Sequence, residues 1–150
     1  MTERIVVGVD GSPGSLVAAR WAASEARVRR AQLEVVLAWE PVVHVVGGSA
    51  WVLPDKRQLA EQQRVAEERL AELVRPLAGE LDGLAVELLA KHGAPVSVLL
   101  AAAKDASQLV LGTRGHGGFV GLLLGSVSAQ CAHHAPCPLV IVPSPRDRAT

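Results

Sequence analysis

A strand passes into a helix through a tight turn in the stretch Ile5-Val6-Val7-Gly8-Val9-Asp10-Gly11-Ser12-Pro13. Ile5 to Val9 is an unbroken, mostly β-branched run, which is typical of a strand buried on both faces of a parallel sheet. Ser12 can cap a helix whose first residue is Pro13, because a proline in that position loses no hydrogen bond. The stretch therefore predicts the first strand and first helix of an α/β fold.

The alternation of apolar runs and amphipathic segments continues along the chain. Further strands are predicted over Leu33–Trp39, Leu84–Ala90, Gln108–Leu111 and Pro138–Val142. Helices are predicted from Pro13, from Asp55, from Pro95 and over Ser126–His134. The prolines and glycines of Pro41–Pro54 predict a long loop. The pattern indicates a single domain over residues 1–150, a parallel sheet covered by helices on both faces, with a loose polar tail after about residue 143.

The carboxyl ends of the strands are where such a sheet binds ligands. Parallel strands joined by right-handed crossovers bring these ends to the same edge. Asp10, Ala38 and Gly112 all lie at predicted strand ends. A binding site is therefore expected at this edge.

The most informative segment is glycine-rich and lies between a predicted strand and a predicted helix. It reads G-T-R-G-H-G-G-F-V-G-L-L-L-G-S from Gly112 to Ser126. Glycines let backbone N–H groups approach an anion and adopt positive φ, while a helix N-terminus offers unpaired N–H groups. Ser126 and Ser128 add hydroxyl donors. The pattern favours a phosphate site, and a plain surface loop before a capped helix is the alternative on chemistry alone.

The spacing of Gly112, Gly115 and Gly125-Ser126 resembles the G-2x-G-9x-G-S nucleotide signature of ATP-binding universal stress proteins. The likeness extends to residues 5–12, to the helix start at 93–95 and to the closing stretch 135–142. This resemblance implies a Rossmann-like open sheet of five parallel strands in the order 3-2-1-4-5. It also implies a stress-response or regulatory protein that binds ATP, and a homodimer paired through Leu139 to Val142.

The resemblance further implies a role for each matching position. Asp10 contacts the ribose, and the backbone of Ala38 faces adenine. Gly8 and Val9, which precede Asp10, are also included in the candidate ATP site. The phosphate side of the candidate ATP site comprises Gly112, Thr113, Arg114, Gly115, His116, Gly125, Ser126, Val127 and Ser128. Chemistry agrees on Asp10, because a carboxylate accepts hydrogen bonds from ribose hydroxyls but repels phosphate. Its other role is to form the turn that leads into the first helix.

No Walker sequence G-x-x-x-x-G-K-[ST] is present, so the triphosphate has no lysine of that kind. Its charge must be met by backbone N–H groups, by a Mg²⁺ or Mn²⁺ ion, or by Arg114, which can equally be a solvated surface cation. His116 has no carboxylate nearby in sequence, which favours a loop histidine over an acid or base. The sequence therefore favours an ATP-binding module without a catalytic residue, and a slow ATPase or other nucleotide hydrolase is the alternative.

Composition excludes several other classes of function. Lys plus Arg and Asp plus Glu are 15 each, which gives no reason to expect nucleic acid as a partner. No apolar run approaches the roughly 20 residues of a membrane span. Two cysteines are too few for a disulfide framework, so a cytoplasmic protein is expected. The predicted third strand ends in Leu89-Ala90-Lys91, without the phosphoacceptor aspartate of a receiver domain.

Several residues keep two interpretations at this point. Trp39 and Trp51 can stack on adenine or pack in the interior. The apolar run from Phe119 to Leu124 can form a packed turn or meet another chain. Cys131, His133, His134 and Cys137 lie too close together for a usual zinc site, so no metal ligand is predicted among protein side chains.

Overall fold

The computed structural model of the chain describes residues 2–115 and 124–145. The strands are β1 (Arg4–Gly8), β2 (Gln32–Trp39), β3 (His44–Val46), β4 (Ala50–Val52), β5 (Val86–His92), β6 (Gln108–Gly112) and β7 (Leu139–Val142). The helices are α1 (Pro13–Arg29), α2 (Lys56–Val74), α3 (Ala78–Leu81), α4 (Pro95–Ala103) and α5 (Ser126–His134). One 3₁₀ turn, Arg75–Leu77, joins α2 to α3.

The main sheet contains five parallel strands in the order β5-β2-β1-β6-β7. Counted among these five strands alone, the order is 3-2-1-4-5, so the predicted topology is confirmed. β1 lies at the centre, and Ile5, Val6 and Val7 have no exposed surface. The unbroken apolar run follows from burial on both faces of the sheet.

Helices cover both faces of the sheet, as predicted. Ile5 and Val7 face a cluster built with α1 and α2, whereas Val6 faces a cluster built with α4 and α5. The buried side of α1 is formed by small residues, which let the helix lie close to the sheet: Ser15, Ala18, Ala19, Ala22, Ala23 and Ala26. None of the helices described in 2–115 and 124–145 has both the length and the apolar character needed to cross a membrane.

Residues 41–54 do not form the long loop that was predicted. They carry an antiparallel hairpin, in which β3 pairs with β4 and with no other described strand. Gly47 and Gly48 have φ of 65° and 79°, in the left-handed region that suits a tight reversal between two strands. The glycines therefore mark the turn of the hairpin, and the prolines lie outside its strands.

The predicted third strand, Leu84–Ala90, begins and ends two residues before the observed β5, Val86–His92. β5 begins at Val86 because Leu84 N–H donates to the carbonyl of Leu81 and still belongs to the turn after α3. Pairing with β2 then continues to His92, opposite Trp39. By contrast, α5 spans the predicted residues, and the polar tail is described only as far as Pro145.

Candidate functional site

A cleft of about 700 Å³ opens at the carboxyl edge of the main sheet, beside the first turns of α4 and α5. Its volume is in the range of small-ligand sites. Of the thirteen residues predicted to bind ATP, eleven line it: Gly8, Val9, Asp10, Ala38, Gly112, Arg114, Gly115, Gly125, Ser126, Val127 and Ser128. Residues separated by more than a hundred positions in sequence thus meet where the carboxyl ends of the strands converge.

The two remaining predicted residues have different positions. Thr113 is buried and is not part of the lining. Its carbonyl accepts a hydrogen bond of 2.7 Å from Gly125 N–H, which joins the two ends of the glycine-rich segment. His116 lies outside the described residues, as do Phe119, Leu122 and Leu123.

The signature glycines lie where a Cβ would come too close to a neighbouring backbone or side chain. A Cβ on Gly112 would lie 2.9 Å from main-chain atoms of Gly14, in the first turn of α1. A Cβ on Gly115 would collide with Oδ2 of Asp10, and one on Gly125 would lie 3.3 Å from the Cα of Arg114. None of these three glycines has a positive φ, so the expected left-handed backbone is absent at these positions.

Asp10 links the end of β1 to the glycine-rich segment. Its Oδ1 accepts a 2.8 Å hydrogen bond from Ser12 N–H, which closes the turn before α1. Its Oδ2 lies against Gly115. On the outer side, Arg69 of α2 donates through Nη2 to the Asp10 carbonyl over 3.3 Å. The predicted turn-forming role of Asp10 is present, and the same carboxylate also lines the cleft.

Ala38 directs main-chain groups towards the cleft. Its neighbour Trp39 accepts a hydrogen bond from Gly93 N–H, on the β5 side of β2. Because N–H and C=O groups alternate between the two sides of a parallel strand, those of Ala38 point towards β1. However, β1 ends at Gly8, and its last contact with β2 is the bond from Val9 N–H to the Val36 carbonyl. Ala38 therefore offers one donor and one acceptor beside the cleft.

The start of α5 supplies backbone donors to the same cleft. Its N-cap, Gly125, has no side chain, and no described side chain caps the helix. In contrast, Ser12 caps α1 and Asp55 caps α2. The Ser128 hydroxyl donates to the Gly112 carbonyl over 2.7 Å. Its proton is therefore already in a hydrogen bond, whereas the sequence predicted that it would donate to the ligand. Backbone N–H groups and the positive end of the helix dipole remain as attractive features for an anion.

Sequence reasoning missed eight residues that also line the cleft. They are Ser12, Ser15, Val36, Pro95, Leu99, Leu111, Leu124 and Ala129. Several of them could have been predicted from the two-residue repeat along a strand face and the four-residue spacing along a helix face. Val36 shares a face of β2 with Ala38, and Pro95 and Leu99 are one helical turn apart on α4. Together they give the cleft part of its apolar lining.

The two tryptophans and the cysteine–histidine group that kept two interpretations lie outside the cleft. Neither Trp39 nor Trp51 lines the cleft. Trp39 stacks on His92 with ring centroids 4.9 Å apart and donates through Nε1 to Gln63, whereas Trp51 is exposed. Cys131 is buried, which raises the pKa of its thiol. No group of three metal-ligating side chains comes together in the described part of the chain.

Comparison with known proteins gives consistent matches over most of the chain. The model of the universal stress protein family matches residues 1–143. A universal stress protein of Mycobacterium tuberculosis (strain ATCC 25618 / H37Rv) is 35% identical over 150 residues, with 93% of this chain and 47% of that protein covered. The chain thus spans about half the length of the mycobacterial relatives it matches. A Thermus aquaticus universal stress protein is 35% identical over 145 residues, which cover 95% of this chain and 99% of that protein.

Solved structures show the same fold. A universal stress protein in complex with cAMP has a TM-score of 0.67 at 27% identity, with 93% of this chain and 96% of that chain covered. The universal stress protein from Archaeoglobus fulgidus in complex with dAMP has a TM-score of 0.61 at 26% identity, with the same coverage of 93% and 96%. Because the family model matches residues 1–143, nearly the whole chain, this chain belongs to the universal stress protein family.

Proposed function

We propose that this chain binds ATP in the cleft and acts as a nucleotide-dependent regulatory module of a cytoplasmic stress response. One observation carries the proposal: a main-chain donor and acceptor, one carboxylate and an uncapped helix N-terminus converge on a single cleft. The complexes of two relatives with cAMP and dAMP support an adenine nucleotide as the class of ligand.

The main chain of Ala38 is suited to the edge of adenine. Adenine presents an acceptor at N1 and a donor at its 6-amino group, which matches one N–H and one C=O. Guanine presents the opposite pair, with a donor at N1 and an acceptor at O6. The apolar residues Val36, Pro95 and Leu99 supply the surface that a base requires. We therefore expect adenine to be preferred over guanine.

We place the ribose and the phosphates in the cleft by the charge of the groups that line it. Asp10 is the only carboxylate among the described residues that line the cleft, and it suits the ribose hydroxyls. The backbone of Gly115 and of Gly125 to Ser128, with the dipole of α5, suits the phosphates. Arg114 also lines the cleft and adds one cation to this side. A Mg²⁺ or Mn²⁺ ion carried by the triphosphate would neutralise further charge.

The number of such contacts predicts moderate affinity. Charge-assisted hydrogen bonds contribute roughly 1.5–3 kcal/mol each. Loss of translational and rotational freedom on binding costs at least about 4 kcal/mol. A handful of bonds therefore corresponds to a Kd of the order of micromolar.

Binding without obligatory turnover is the favoured mode. Hydrolysis requires a positioned water and charge neutralisation at the leaving group. In the described lining, the one carboxylate is held by Ser12 N–H at the sugar end of the cleft. We also infer pairing of two chains through β7, an apolar edge strand of the main sheet.

The first experiment measures nucleotide directly. The purified protein is denatured and any released nucleotide is identified by chromatography, and ATP with magnesium is then titrated into wild type and Gly115→Glu. A carboxylate at position 115 would crowd Asp10 and repel phosphate while leaving the sheet intact. Wild type should carry or bind ATP, and the variant should not. A folded wild type that binds no nucleotide at millimolar ATP would overturn the proposal, while turnover over hours would indicate a slow ATPase.

A further inference from the structure

An apolar hairpin, here called the arm, occupies residues 41–54. All six residues of β3 and β4 are exposed. Ten large apolar side chains are exposed in the described chain, and six of them belong to the arm: Val42, Val45, Val46, Trp51, Val52 and Leu53. Trp51 is 75% exposed and Leu53 is 76% exposed. Apolar clusters of this kind mark interaction surfaces, because their exposure to water is unfavourable.

Neither face of β3 and β4 is covered by the described residues. The pair Val45–Trp51 lies on one face, and the pairs His44–Val52 and Val46–Ala50 lie on the other. Each strand also keeps one edge without a partner among the described strands. A two-stranded hairpin alone is marginally stable in water, whereas three or more strands with a packed face are stable. The arm therefore gains stability from a partner that adds strands.

The composition of the arm selects an uncharged partner. No Asp, Glu, Lys or Arg occurs between Glu40 and Asp55. A charged surface docked there would lose its hydration without meeting an opposite charge. A second arm has the same uncharged, apolar surface, and antiparallel pairing of identical edges matches free N–H groups with free carbonyls. The formal net charge of zero adds no repulsion between two copies.

We propose that the arm joins two copies of this chain, arm against arm, about a two-fold axis. The pairing forms a continuous four-stranded antiparallel sheet, in which each Trp51 side chain gains cross-strand neighbours on its own face. It is separate from pairing through β7. The arm follows β2, next to the β5 edge of the main sheet, whereas β7 forms the opposite edge. Two different contacts on one chain permit assemblies larger than a dimer.

Sedimentation velocity of the full chain over a range of concentrations tests the proposal. Trp51→Ser removes the largest exposed side chain of the arm, and Val52→Lys places a charge on β4, which opposes edge pairing. Each variant should weaken self-association at least about tenfold while circular dichroism stays unchanged, as expected for side chains outside the core. Val28→Ser is the matched control, because Val28 is 78% exposed on α1 and should not alter assembly. A monomeric wild type, arm variants that assemble like wild type, or an equal loss with Val28→Ser would overturn the proposal.

Hydrogen exchange on the wild-type chain gives a second measurement that needs no variant. Backbone N–H groups at the free edges of β3 and β4 become hydrogen-bonded when two arms pair. Their exchange should therefore slow as concentration rises from the dissociated to the associated range. Association without slower exchange in residues 41–54 would exclude arm pairing even if Trp51→Ser changed the assembly for another reason.

Discussion

At the scale of single residues, the cleft depends on places where two backbones or a backbone and a side chain come unusually close. Gly112 lies against the first turn of α1, and Gly115 lies against the carboxylate of Asp10. The two glycines of one signature therefore have different tasks. Gly112 lets β6 and α1 pack, whereas Gly115 leaves room for a functional side chain.

Gly112→Ala should lower stability. The new Cβ would lie 2.9 Å from two main-chain atoms of Gly14, and backbone cannot move aside as a flexible side chain can. Overpacking of this kind costs about 2 kcal/mol. Urea denaturation measures the loss. Gly79→Ala is the matched control, because nothing lies within 4 Å of its Cβ in α3, and a result in which both variants unfold at the wild-type midpoint would contradict the packing argument.

Gly115→Ala should instead mainly lower ATP affinity, with a smaller loss of stability than Gly112→Ala. Its Cβ meets the end of the Asp10 side chain, which can rotate away and thereby leaves its place in the cleft. We expect a Kd at least about tenfold higher than wild type, measured by calorimetric titration, and a loss of about 1 kcal/mol in urea denaturation from the Asp10–Ser12 hydrogen bond. Wild-type affinity in this variant would show that the position of Asp10 is unimportant for binding.

Much of this residue-scale picture was predictable, and the reasons for the remainder are specific. The turn at Asp10 and the cap at Ser12 follow from residue types whose local hydrogen bonds are well known. The engagement of Ser128 with Gly112 depends on how β6 and α5 pack, which no local pattern encodes. Thr113 was assigned to the ligand because of its neighbours in sequence, although its burial places it behind the cleft.

At the scale of elements, the order of strands and helices was readable because parallel strands buried on both faces have a strong apolar pattern. The hairpin at 41–54 was missed because its glycines and prolines suggest a loop equally well. The shift of β5 has a related cause. β5 is an edge strand with several exposed residues, so its limits depend on pairing with β2 more than on its own pattern.

An ion pair at the amino edge of the sheet should contribute to joining β1, β2 and α4. Arg4 and Glu34 lie 2.7 Å apart, with side chains 24% and 10% exposed, and Arg4 also donates to the carbonyls of Ala102 and Lys104. Arg4→Ala would leave Glu34 without its partner, which should cost about 3 kcal/mol by urea denaturation. Arg64→Ala removes exposed pairs within α2 and should leave the midpoint unchanged. Equal effects of the two variants would contradict the distinction drawn from burial.

At the scale of the whole molecule, the cleft lies where the carboxyl ends of the central strands meet. The arm lies towards the β5 side of the main sheet, and β7 forms the opposite side. The cleft joins β1, β2, β6, α4 and α5, so ligand bound there contacts both halves of the fold. A ligand that binds only the folded state stabilises all of it by linkage.

ATP should therefore raise the melting temperature. At a free concentration about 100 times Kd, binding adds about 2.7 kcal/mol of stability. For a chain of this size the expected shift is about 5–10 °C. Scanning fluorimetry with ATP and with GTP measures it, and GTP should give a much smaller shift because the donor and acceptor of Ala38 are reversed for guanine. Equal shifts would rule out recognition of adenine through Ala38.

The most direct test of the central claim is a ¹H–¹⁵N NMR titration of the wild-type chain with ATP. The backbone amides of Ala38, Gly115, Gly125 and Ser126 should shift together, and they should saturate at one Kd in the micromolar range. The amides of Gly79 and Gly83, which are remote from the cleft, should stay in place. Shifts that avoid the cleft, or no shifts at millimolar ATP, would contradict the claim that this protein binds ATP there.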